Sequence, residues 1–343
     1  MPTKVSVVLA SFNGARHILG QLESIAQQTL LPAEVLVSDD GSTDATIELV
    51  KAFAADAPFP LLLHTNPTRL GYAENFLAAA GRANGDVIAF CDQDDVWLPD
   101  KLASALTAFD DPEVVLWLHA SRRVDEQLVP FADGRLHTGL ARRAARLNPL
   151  HPLHGSHLAF RASLLKQLPP VARPSSVYGP HPAEHDEWVT FAAHVLGRIA
   201  WEPRPRMLYR QHAGSLTQTS ATPTRTEVVR AGEESRHNHS VLAAAQRREY
   251  LVRRLNDRDS EAARPRLERA AEVYRRMTPR LRRRLRTRQS SAAVARVGSL
   301  VRSVLCGHYA SRARGGLGAW ALVEDLRAVR SPRAVPAGAT TAS

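Results

Sequence analysis

The sequence is poor in cysteine, and this scarcity excludes two kinds of scaffold. Its 343 residues include two cysteines, Cys91 and Cys306, which lie far apart and form no CxxC or Cys/His ligand spacing. The cysteines therefore supply neither a disulfide framework nor a structural zinc site. We expect both thiols to be reduced and buried, because a free cysteine is most often a small packed side chain.

The sequence also lacks an apolar run that could cross a membrane, for which about 18 or more consecutive apolar residues are needed. The first apolar run, at residues 5–9, is too short for the apolar region of a signal peptide. We therefore expect the protein to stay in the cytoplasm after synthesis. Hydrophobic residues make up 44% of the chain and charged residues 23%, so a globular fold with a sizeable core is expected.

Lysine is absent after residue 220, where arginine is abundant. Residues 221–343 contain 26 Arg, no Lys and 11 Asp+Glu, whereas residues 1–220 contain 19 Lys+Arg and 23 Asp+Glu. This asymmetry predicts a first domain over residues 1–220 and a basic, helical extension over residues 221–330. Residues 331–343 are rich in Ala, Pro, Ser and Thr and are predicted to be a disordered tail. The basic extension indicates an anionic partner.

Short apolar runs alternate with amphipathic segments through the first hundred residues. The runs predict four strands, at residues 5–9, 34–38, 61–64 and 86–91. The segments between them have helical spacing, and Ser42 or Thr43 is expected to cap the second helix. This alternation predicts a doubly wound α/β sheet, in which ligands bind beyond the carboxyl ends of the strands.

An acidic cluster, Asp92-Gln93-Asp94-Asp95, follows directly after the fourth predicted strand. Its three carboxylates repel one another, and a divalent cation such as Mg²⁺ or Mn²⁺ relieves that repulsion with oxygen ligands. A solvated acidic turn or helix cap is the alternative. The sequence Asp39-Asp40-Gly41-Ser42 ends the second strand in the same way, and it is either a ligand-facing carboxylate pair or a capped turn.

Glycine-rich phosphate motifs are missing from the predicted strand ends. No GxGxxG and no Walker lysine motif follows a strand, which argues against NAD binding and P-loop chemistry. A nucleotidyltransferase on a similar sheet would need a basic, glycine-rich loop after the first strand, and Ser11-Phe12-Asn13-Gly14 is not one. A nucleic-acid-binding protein that uses the arginine-rich tail is a further alternative, but few aromatic residues lie in that tail for stacking on bases.

Four motifs in order along the chain resemble those of the family-2 glycosyltransferases, which are inverting enzymes of the GT-A fold. The motifs are residues 7–14, residues 39–44, Asn66 with Gly71 and Asn75, and residues 92–95 with Trp97 and Pro99. The resemblance implies a GT-A (nucleotide-diphospho-sugar transferase) fold, a doubly wound mixed sheet, over residues 1–220, with the helical extension after it. It also implies a metal-dependent transferase of the hexosyltransferase type that moves a sugar from a nucleotide diphosphate donor to a hydroxyl.

The same resemblance implies roles for particular residues. The nucleotide sugar would be bound by Ser11, Asn13, Asp39, Arg69 and Asp92. The metal would be held by Asp94, Asp92 and His212, with Asp94 as the direct ligand. Asp186, in the late acidic motif His185-Asp186-Glu187-Trp188, would be the catalytic base, although a helix N-cap is the alternative. His154-Gly155-Ser156 would lie on the acceptor side.

The closing motif Tyr209-Arg210-Gln211-His212 resembles that of rhamnosyltransferase-like members, although Arg210 and His212 are also typical of structural hydrogen bonding. This motif implies a deoxyhexose donor such as dTDP-rhamnose, and a glycan or lipid-linked acceptor in cell-surface polysaccharide synthesis. Residues 279–288 place arginines beside leucines. They are either a peripheral attachment to anionic lipid on the inner face of the plasma membrane, or the solvated face of a helix packed on the first domain.

Overall fold

The computed structural model describes residues 3–132, 136–137, 154–212, 227–289, 293–306, 322 and 325–326. The strands among them are β1 Val5–Ser11, β2 Glu34–Asp39, β3 Leu61–Thr65, β4 Val87–Asp92, β5 Val96–Trp97, β6 Val114–Val124, β7 Leu136–His137, β8 Leu158–Arg161 and β9 Arg198–Arg210. The α-helices among them are α1 Ile18–Ala26, α2 Thr46–Ala54, α3 Tyr72–Ala80, α4 Lys101–Phe109, α5 Ser163–Gln167, α6 His185–Leu196, α7 Glu227–Leu255, α8 Arg264–Gln289 and α9 Ala293–Leu305. The predicted tail at 331–343 lies outside the described residues.

The described strands form one mixed sheet, in the order β3-β2-β1-β4-β8-β6-β9-β5, with β7 paired to β6. The first four strands along the chain are parallel to one another, because a helix between each consecutive pair returns the chain to the end of the sheet where the strands begin. β8 then pairs with β4 and β6 in the antiparallel sense. The predicted doubly wound mixed sheet with a helical C-terminal part is confirmed.

The parallel strands are buried on both faces, which explains their nearly continuous apolar sequences. On one face, Val7 and Leu9 of β1 pack in a cluster with Ile18 and Leu22 of α1. On the other face, Val8 belongs to a second cluster that reaches α3 and α6. Strand and helix patterning in the sequence therefore agree with the layers of the structure.

The C-terminal helices share the second cluster with the sheet. Trp188 and Phe191 of α6 pack in it together with Tyr250 of α7 and Tyr274 of α8. The two aromatic rings of Trp188 and Tyr250 meet edge to face, with their centroids 5.1 Å apart. The extension is thus packed on the first domain, while the chain segment that contains the predicted boundary at residue 220 lies outside the described residues.

Strand β9 is long and joins two other strands. It has 13 residues, pairs with β6 along its length and pairs with β5 through Met207 and Leu208. Pro203 and Pro205 remove two backbone donors and interrupt the apolar pattern, and the pairing with β6 shifts register beside them. The length of β9 carries the chain from the core to the acidic cluster.

Two smaller expectations differ from the structure. Helix α2 begins at Thr46 and has Ala45 as its N-cap residue, so neither Ser42 nor Thr43 caps it. Cys91 is buried as expected, whereas Cys306 is exposed because it follows the last turn of α9. Among the described helices, none combines the length and the apolar character that a membrane span requires.

Candidate active site

The register of the parallel strands brings three predicted site residues to one edge of the sheet. Ser11 lies opposite Asp39 across β1 and β2, and Ala10 lies opposite Asp92 across β1 and β4. Because all three strands run in the same direction, their carboxyl ends open toward the same side. The loops that follow them therefore meet there.

Asp39 is buried at the end of β2 and organises the loop after it. Its Oδ2 accepts hydrogen bonds from Ser11 Oγ at 2.7 Å and from Ser42 Oγ at 2.6 Å. Its Oδ1 accepts the backbone N–H groups of Gly41 and Ser42 at 3.1 and 2.7 Å. Gly41 has a φ of 83°, a left-handed conformation that suits glycine. The turn that the sequence offered as an alternative is thus present, and Ser11 is fixed against it.

Asn13 and Gln93 join the loop after β1 to its neighbours. Asn13 has a φ of 48°, its N–H donates to Ser42 Oγ at 2.8 Å, and its Oδ1 accepts the N–H of Thr43 at 2.9 Å. Gln93 accepts the N–H of Phe12 at 2.9 Å and donates to the carbonyl of Phe12 at 3.1 Å. The side chain of Gln93 occupies the space that a Cβ at Gly14 would need, 2.2 Å from its Oε1. These hydrogen bonds therefore fix the loop after β1 against the acidic cluster and against the loop after β2.

Asp40 holds the segment that carries Arg69. Its Oδ1 accepts from Asn66 Nδ2 at 2.9 Å and from the N–H of Leu70 at 2.7 Å, and its Oδ2 accepts the N–H of Gly71 at 2.8 Å. The guanidinium of Arg69 lies 3.8 Å from the centroid of the Phe12 ring, while 66% of its side chain is exposed. Sequence reasoning gave Asp40 no role separate from that of Asp39. In the structure, Asp39 holds the turn at Gly41 and Ser42, whereas Asp40 holds the segment that carries Arg69.

The acidic cluster has the donor set of a cation site. Asp92, Asp94 and Asp95 each place a carboxylate oxygen within 4.8 Å of the others. Asp95 is completely buried, and its Oδ2 has no hydrogen-bond partner among the described residues. Burial and the charge of Asp94 raise the pKa of Asp92 to about 7, and the same causes raise the pKa of Asp95 well above its usual value. A buried oxygen without a partner beside two further carboxylates fits a divalent cation with oxygen ligands.

The closing motif packs directly against this cluster. Arg210 donates its backbone N–H to Asp95 Oδ1 at 3.1 Å and its Nε to the carbonyl of Asp94 at 2.7 Å. Nε2 of His212 lies 2.8 Å from Asp94 Oδ2, and this hydrogen bond raises the pKa of His212. Arg210 thus makes the structural hydrogen bonds that the sequence left as one alternative. His212 is hydrogen-bonded to Asp94, which the resemblance implies is the direct metal ligand.

Lys101 and Ser156 lie behind the cluster, and sequence reasoning gave Lys101 no role. Lys101 begins α4 and is completely buried, with Nζ donating to the carbonyl of Ser156 at 2.8 Å and lying 3.7 Å from the centroid of the Trp97 ring. Burial and the charge of Asp94 raise the pKa of Asp92, and the side chain of Ser156 acts to lower it. A lysine in the first turn of a helix is typical of an exposed position, so no sequence signal identified its burial.

Asp186 lies in the first turn of α6, after the N-cap residue Glu184. Its Oδ1 accepts the N–H of Glu187 at 2.6 Å, so the carboxylate satisfies a helix donor although Asp186 is not the N-cap. Burial raises the pKa of Asp186 well above its usual value, and the charges of Glu184 and Asp92 add to the effect. The late acidic motif thus places a carboxylate with a raised pKa at the start of α6.

His185 fixes the start of α6 against the sheet. Its ring stacks on Phe76 with centroids 4.3 Å apart, and burial, with a smaller contribution from the charge of Arg173, lowers its pKa to about 3. A Cβ at Gly155 would lie 2.4 Å from Nε2 of His185, so this position leaves no room for a side chain. The motifs at 154–156 and 185–188 are consequently in contact, as a shared acceptor side would require.

Comparisons with known proteins agree with this geometry. Residues 6–168 match the family model described as glycosyl transferase family 2. An uncharacterized protein of Mycobacterium tuberculosis is 30% identical over 237 residues, which cover 64% of this chain and 62% of that protein. The dTDP-rhamnosyl transferase RfbG of Shigella flexneri is 33% identical over 102 residues, which cover 29% of this chain and 35% of that protein. Neither match extends over two thirds of the relative's length.

A solved structure resembles the whole fold. The crystal structure of S. aureus TarS 1–349 in complex with UDP-GlcNAc aligns with a TM-score of 0.51 at 19% identity, covering 90% of this chain and 93% of that chain. At this identity the likeness concerns the fold alone. Together with the family match at residues 6–168, it confirms the resemblance that the motifs indicated. Over residues 6–168 the chain therefore matches glycosyl transferase family 2, and its fold is the GT-A fold.

Proposed function

We propose that this protein is a metal-dependent, inverting glycosyltransferase that acts in cell-surface polysaccharide synthesis. It would move a sugar from a nucleotide diphosphate donor to a hydroxyl of a glycan or lipid-linked acceptor. The observation that carries the proposal is the acidic cluster, whose three carboxylates lie within 4.8 Å of one another at the end of β4, beside the ends of β1 and β2. Asp186 would supply the base for the incoming hydroxyl from the start of α6, which lies against Gly155 of the acceptor-side motif.

The residues present fit Mg²⁺ or Mn²⁺. Asp94 and Asp92 would hold the cation, Asp95 would face it with its unpartnered oxygen, and His212 would support Asp94 or bind directly. When bound, such a cation would supply positive charge that stabilises the leaving nucleoside diphosphate. Carboxylate oxygens favour these hard cations over softer metals.

The nucleotide would lie over the loops after β1 and β2. Ser11, Asn13 and Asp39 are tied into one hydrogen-bonded unit there, so a ligand meets preorganised groups. The exposed guanidinium of Arg69 over Phe12 offers a flat cationic surface, which suits a base or a phosphate. These contacts support the assignment of the four residues to donor binding.

Asp186 would act as the general base. In a single displacement, the acceptor oxygen bonds to the anomeric carbon as the bond from that carbon to the diphosphate oxygen breaks. The proton of the acceptor hydroxyl passes to Asp186, and the nucleoside diphosphate leaves with the bonding electrons, so the anomeric configuration inverts. The raised pKa makes the ionised carboxylate of Asp186 a stronger base than that of an ordinary aspartate.

The donor is proposed to be a deoxyhexose nucleotide such as dTDP-rhamnose. The support is the closing motif at residues 209–212 and the similarity to a dTDP-rhamnosyl transferase. The test is thermal unfolding with Mn²⁺ and a panel that contains dTDP-rhamnose, UDP-GlcNAc and GDP-mannose. We expect dTDP-rhamnose to raise Tm most, and Asp94→Ala to lose the effect, because a ligand that binds the native state stabilises it. A panel in which no nucleotide sugar raises Tm contradicts the proposal.

A further inference from the structure

Tyr72 is an exposed aromatic residue to which the proposed reaction gives no role. It begins α3 and is 43% exposed. Its ring meets that of His185 edge to face, with centroids 6.0 Å apart, and its hydroxyl donates to Oε1 of Glu184. Glu184 is the N-cap residue of α6 and stands two residues before the proposed base, Asp186. An exposed tyrosine ring is therefore fixed beside the start of the helix that carries the base.

The chain that enters α3 is attached to the donor side of the site. Asp40, at the end of β2, accepts the N–H of Leu70 at 2.7 Å and the N–H of Gly71 at 2.8 Å. Leu70 is itself exposed and adds apolar surface next to Tyr72. Tyr72 thus lies between the loop that is assigned to the nucleotide and the helix that carries the base.

A second connection holds Tyr72 and Glu184 together. Arg173, whose side chain is 7% exposed, forms an ion pair with Glu74 in the first turn of α3. Its Nε donates to the carbonyl of Ala183 at 2.7 Å, and Ala183 directly precedes Glu184. The placement of Tyr72 against Glu184 therefore does not depend on their own hydrogen bond alone.

Tyr72 and Glu184 together offer what a sugar ring needs. A pyranose presents a face of C–H groups, which packs on an aromatic ring, and hydroxyls, which donate to carboxylate oxygens. Oε1 of Glu184 accepts from Tyr72, whereas its Oε2 has no hydrogen-bond partner within the described part of the chain. The negative charge of this carboxylate repels a diphosphate, so the pair favours the uncharged acceptor sugar over the phosphates of the donor.

We propose that Tyr72 and Glu184 form the subsite for the acceptor sugar, in which the ring of Tyr72 packs on the C–H face of a pyranose and Glu184 accepts one of its hydroxyls. The inference rests on the proposed function, since it assumes that the hydroxyl activated by Asp186 belongs to a sugar. Tyr72 and Glu184 select the acceptor, and Asp186 takes its proton.

A purely structural role for Tyr72 predicts a different pattern of variants. If Tyr72 only ties α3 to α6, Tyr72→Phe removes the tie and should be as harmful as Tyr72→Ala. If the ring binds a sugar, Tyr72→Phe keeps the aromatic surface and should keep most of the acceptor affinity, which Tyr72→Ala loses. Comparison of the two variants therefore separates the roles.

The experiment is saturation-transfer nuclear magnetic resonance with the methyl α-glycosides of rhamnose, glucose, galactose, mannose and N-acetylglucosamine. The protein carries Mg²⁺ and the nucleoside diphosphate of the nucleotide sugar that raises Tm most. We expect saturation at the ring C–H protons of at least one glycoside, and Kd for it to rise ~10-fold or more in Tyr72→Ala, as the loss of one aromatic contact predicts. Glu184→Ala should also raise Kd, and Tyr72→Phe should stay near the wild type.

Donor binding and an exposed residue elsewhere are the controls. The rise in Tm that the nucleotide sugar produces with Mg²⁺ should be equal in the wild type and in Tyr72→Ala, because the donor is bound by other residues. Leu31→Ala removes an exposed apolar side chain three residues before β2, at the other end of the sheet, and should change neither readout.

The subsite and the proposed function fail in distinguishable ways. A wild type that transfers saturation to no glycoside, equal Kd in the wild type and Tyr72→Ala, or equal losses in Tyr72→Phe and Tyr72→Ala overturns the acceptor subsite. Loss of the nucleotide-sugar effect on Tm in Tyr72→Ala assigns the ring to the donor and overturns it as well. A wild type whose Tm no nucleotide sugar raises contradicts the proposed function itself.

Discussion

At the residue scale, the members of the acidic cluster differ in burial, and therefore in how much a substitution would disturb the fold. Asp95 is buried and accepts the backbone N–H of Arg210, so it is part of the fold. Asp94 is partly exposed, and its carboxylate meets His212. A change at Asp94 therefore tests the site with little effect on the core.

We expect Asp94→Ala to abolish sugar transfer and to leave the fold intact. The remaining groups repel one another without a cation, and the substitution removes a side chain from a surface that faces solvent. Transfer assays with Mn²⁺ or Mg²⁺, and circular dichroism for the fold, measure both effects. EDTA should mimic the variant in the wild type, and full activity after dialysis into EDTA rules out the metal assignment.

We expect Asp186→Asn to lower kcat by ~10²-fold or more, the lower end of general-base contributions. Asparagine keeps the size of the side chain and can still accept the N–H of Glu187, but it cannot take the proton of the acceptor. Donor affinity, measured by calorimetry, should stay nearly unchanged. Normal turnover in Asp186→Asn, with only a loss of stability in Asp186→Ala, would make the residue a helix-terminus group.

The sequence predicts the partly exposed carboxylates of the site better than the buried groups around them. Asp92, Asp94 and Asp186 stand in short motifs whose residue types limit their chemistry. Lys101 gives no such signal, because its burial depends on Trp97 and Ser156, which come from separate parts of the fold. The roles of Asp92, Asp94 and Asp186 stay predictions, with which their geometry is compatible.

At the element scale, α6 is tied to the C-terminal helices by a buried ion pair. Arg247 of α7 donates to Glu187 Oε1 at 2.6 Å, and the side chains of both residues are 2% exposed. The same oxygen accepts the N–H of Val177 at 2.9 Å. Because Glu187 follows Asp186, the extension supports the helix that carries the proposed base.

We expect Arg247→Leu to lower the free energy of unfolding by about 3–5 kcal/mol, since it leaves a buried carboxylate without its partner. Urea unfolding followed by circular dichroism measures this loss. The double variant Glu187→Gln/Arg247→Leu removes the unpaired charge and keeps an acceptor for Val177, so it should regain most of the stability. A double variant as unstable as Arg247→Leu would show that the charge is not the cause.

Helix α8 shows how well the sequence distinguishes packed side chains from exposed ones. Its Leu281 and Tyr274 pack in the core cluster, and Arg284 forms an ion pair with Asp325 at 2.9 Å. Arg282 and Arg286 remain exposed. Helical spacing located the apolar face, but the partner of Arg284 lies 41 residues away and no local pattern predicts it.

Attachment of α8 to anionic lipid stays a prediction, now restricted to its exposed arginines. We expect Arg282→Gln/Arg286→Gln to reduce co-sedimentation with anionic vesicles, because each basic residue near such a surface contributes about 1 kcal/mol within a Debye length. Transfer to a short soluble acceptor should survive. The matched control is Lys51→Gln/Lys166→Gln, which removes two exposed charges elsewhere. Equal co-sedimentation of all three proteins at physiological salt identifies the arginines as a solvated face.

At the scale of the whole molecule, one sheet edge and one shared core explain the arrangement. The strand ends bring the donor-side loops together, and β9 returns the chain so that Arg210 closes over the acidic cluster. Some arginines of residues 221–343 form ion pairs with other parts of the chain, such as Arg266 with Glu113. This use favours a supporting role for the extension over nucleic-acid binding.

The stereochemistry of transfer tests the central claim most directly. The donor that gives the largest thermal protection is incubated with Mn²⁺ and a panel of alkyl glycoside acceptors, and nuclear magnetic resonance follows the anomeric proton. We predict one released nucleoside diphosphate for each glycoside formed, with the configuration at the anomeric carbon opposite to that of the donor, and no product with Asp186→Asn beyond the residual ~1% that general-base loss allows. A product with retained configuration, or full product formation with Asp186→Asn, contradicts a single displacement assisted by Asp186.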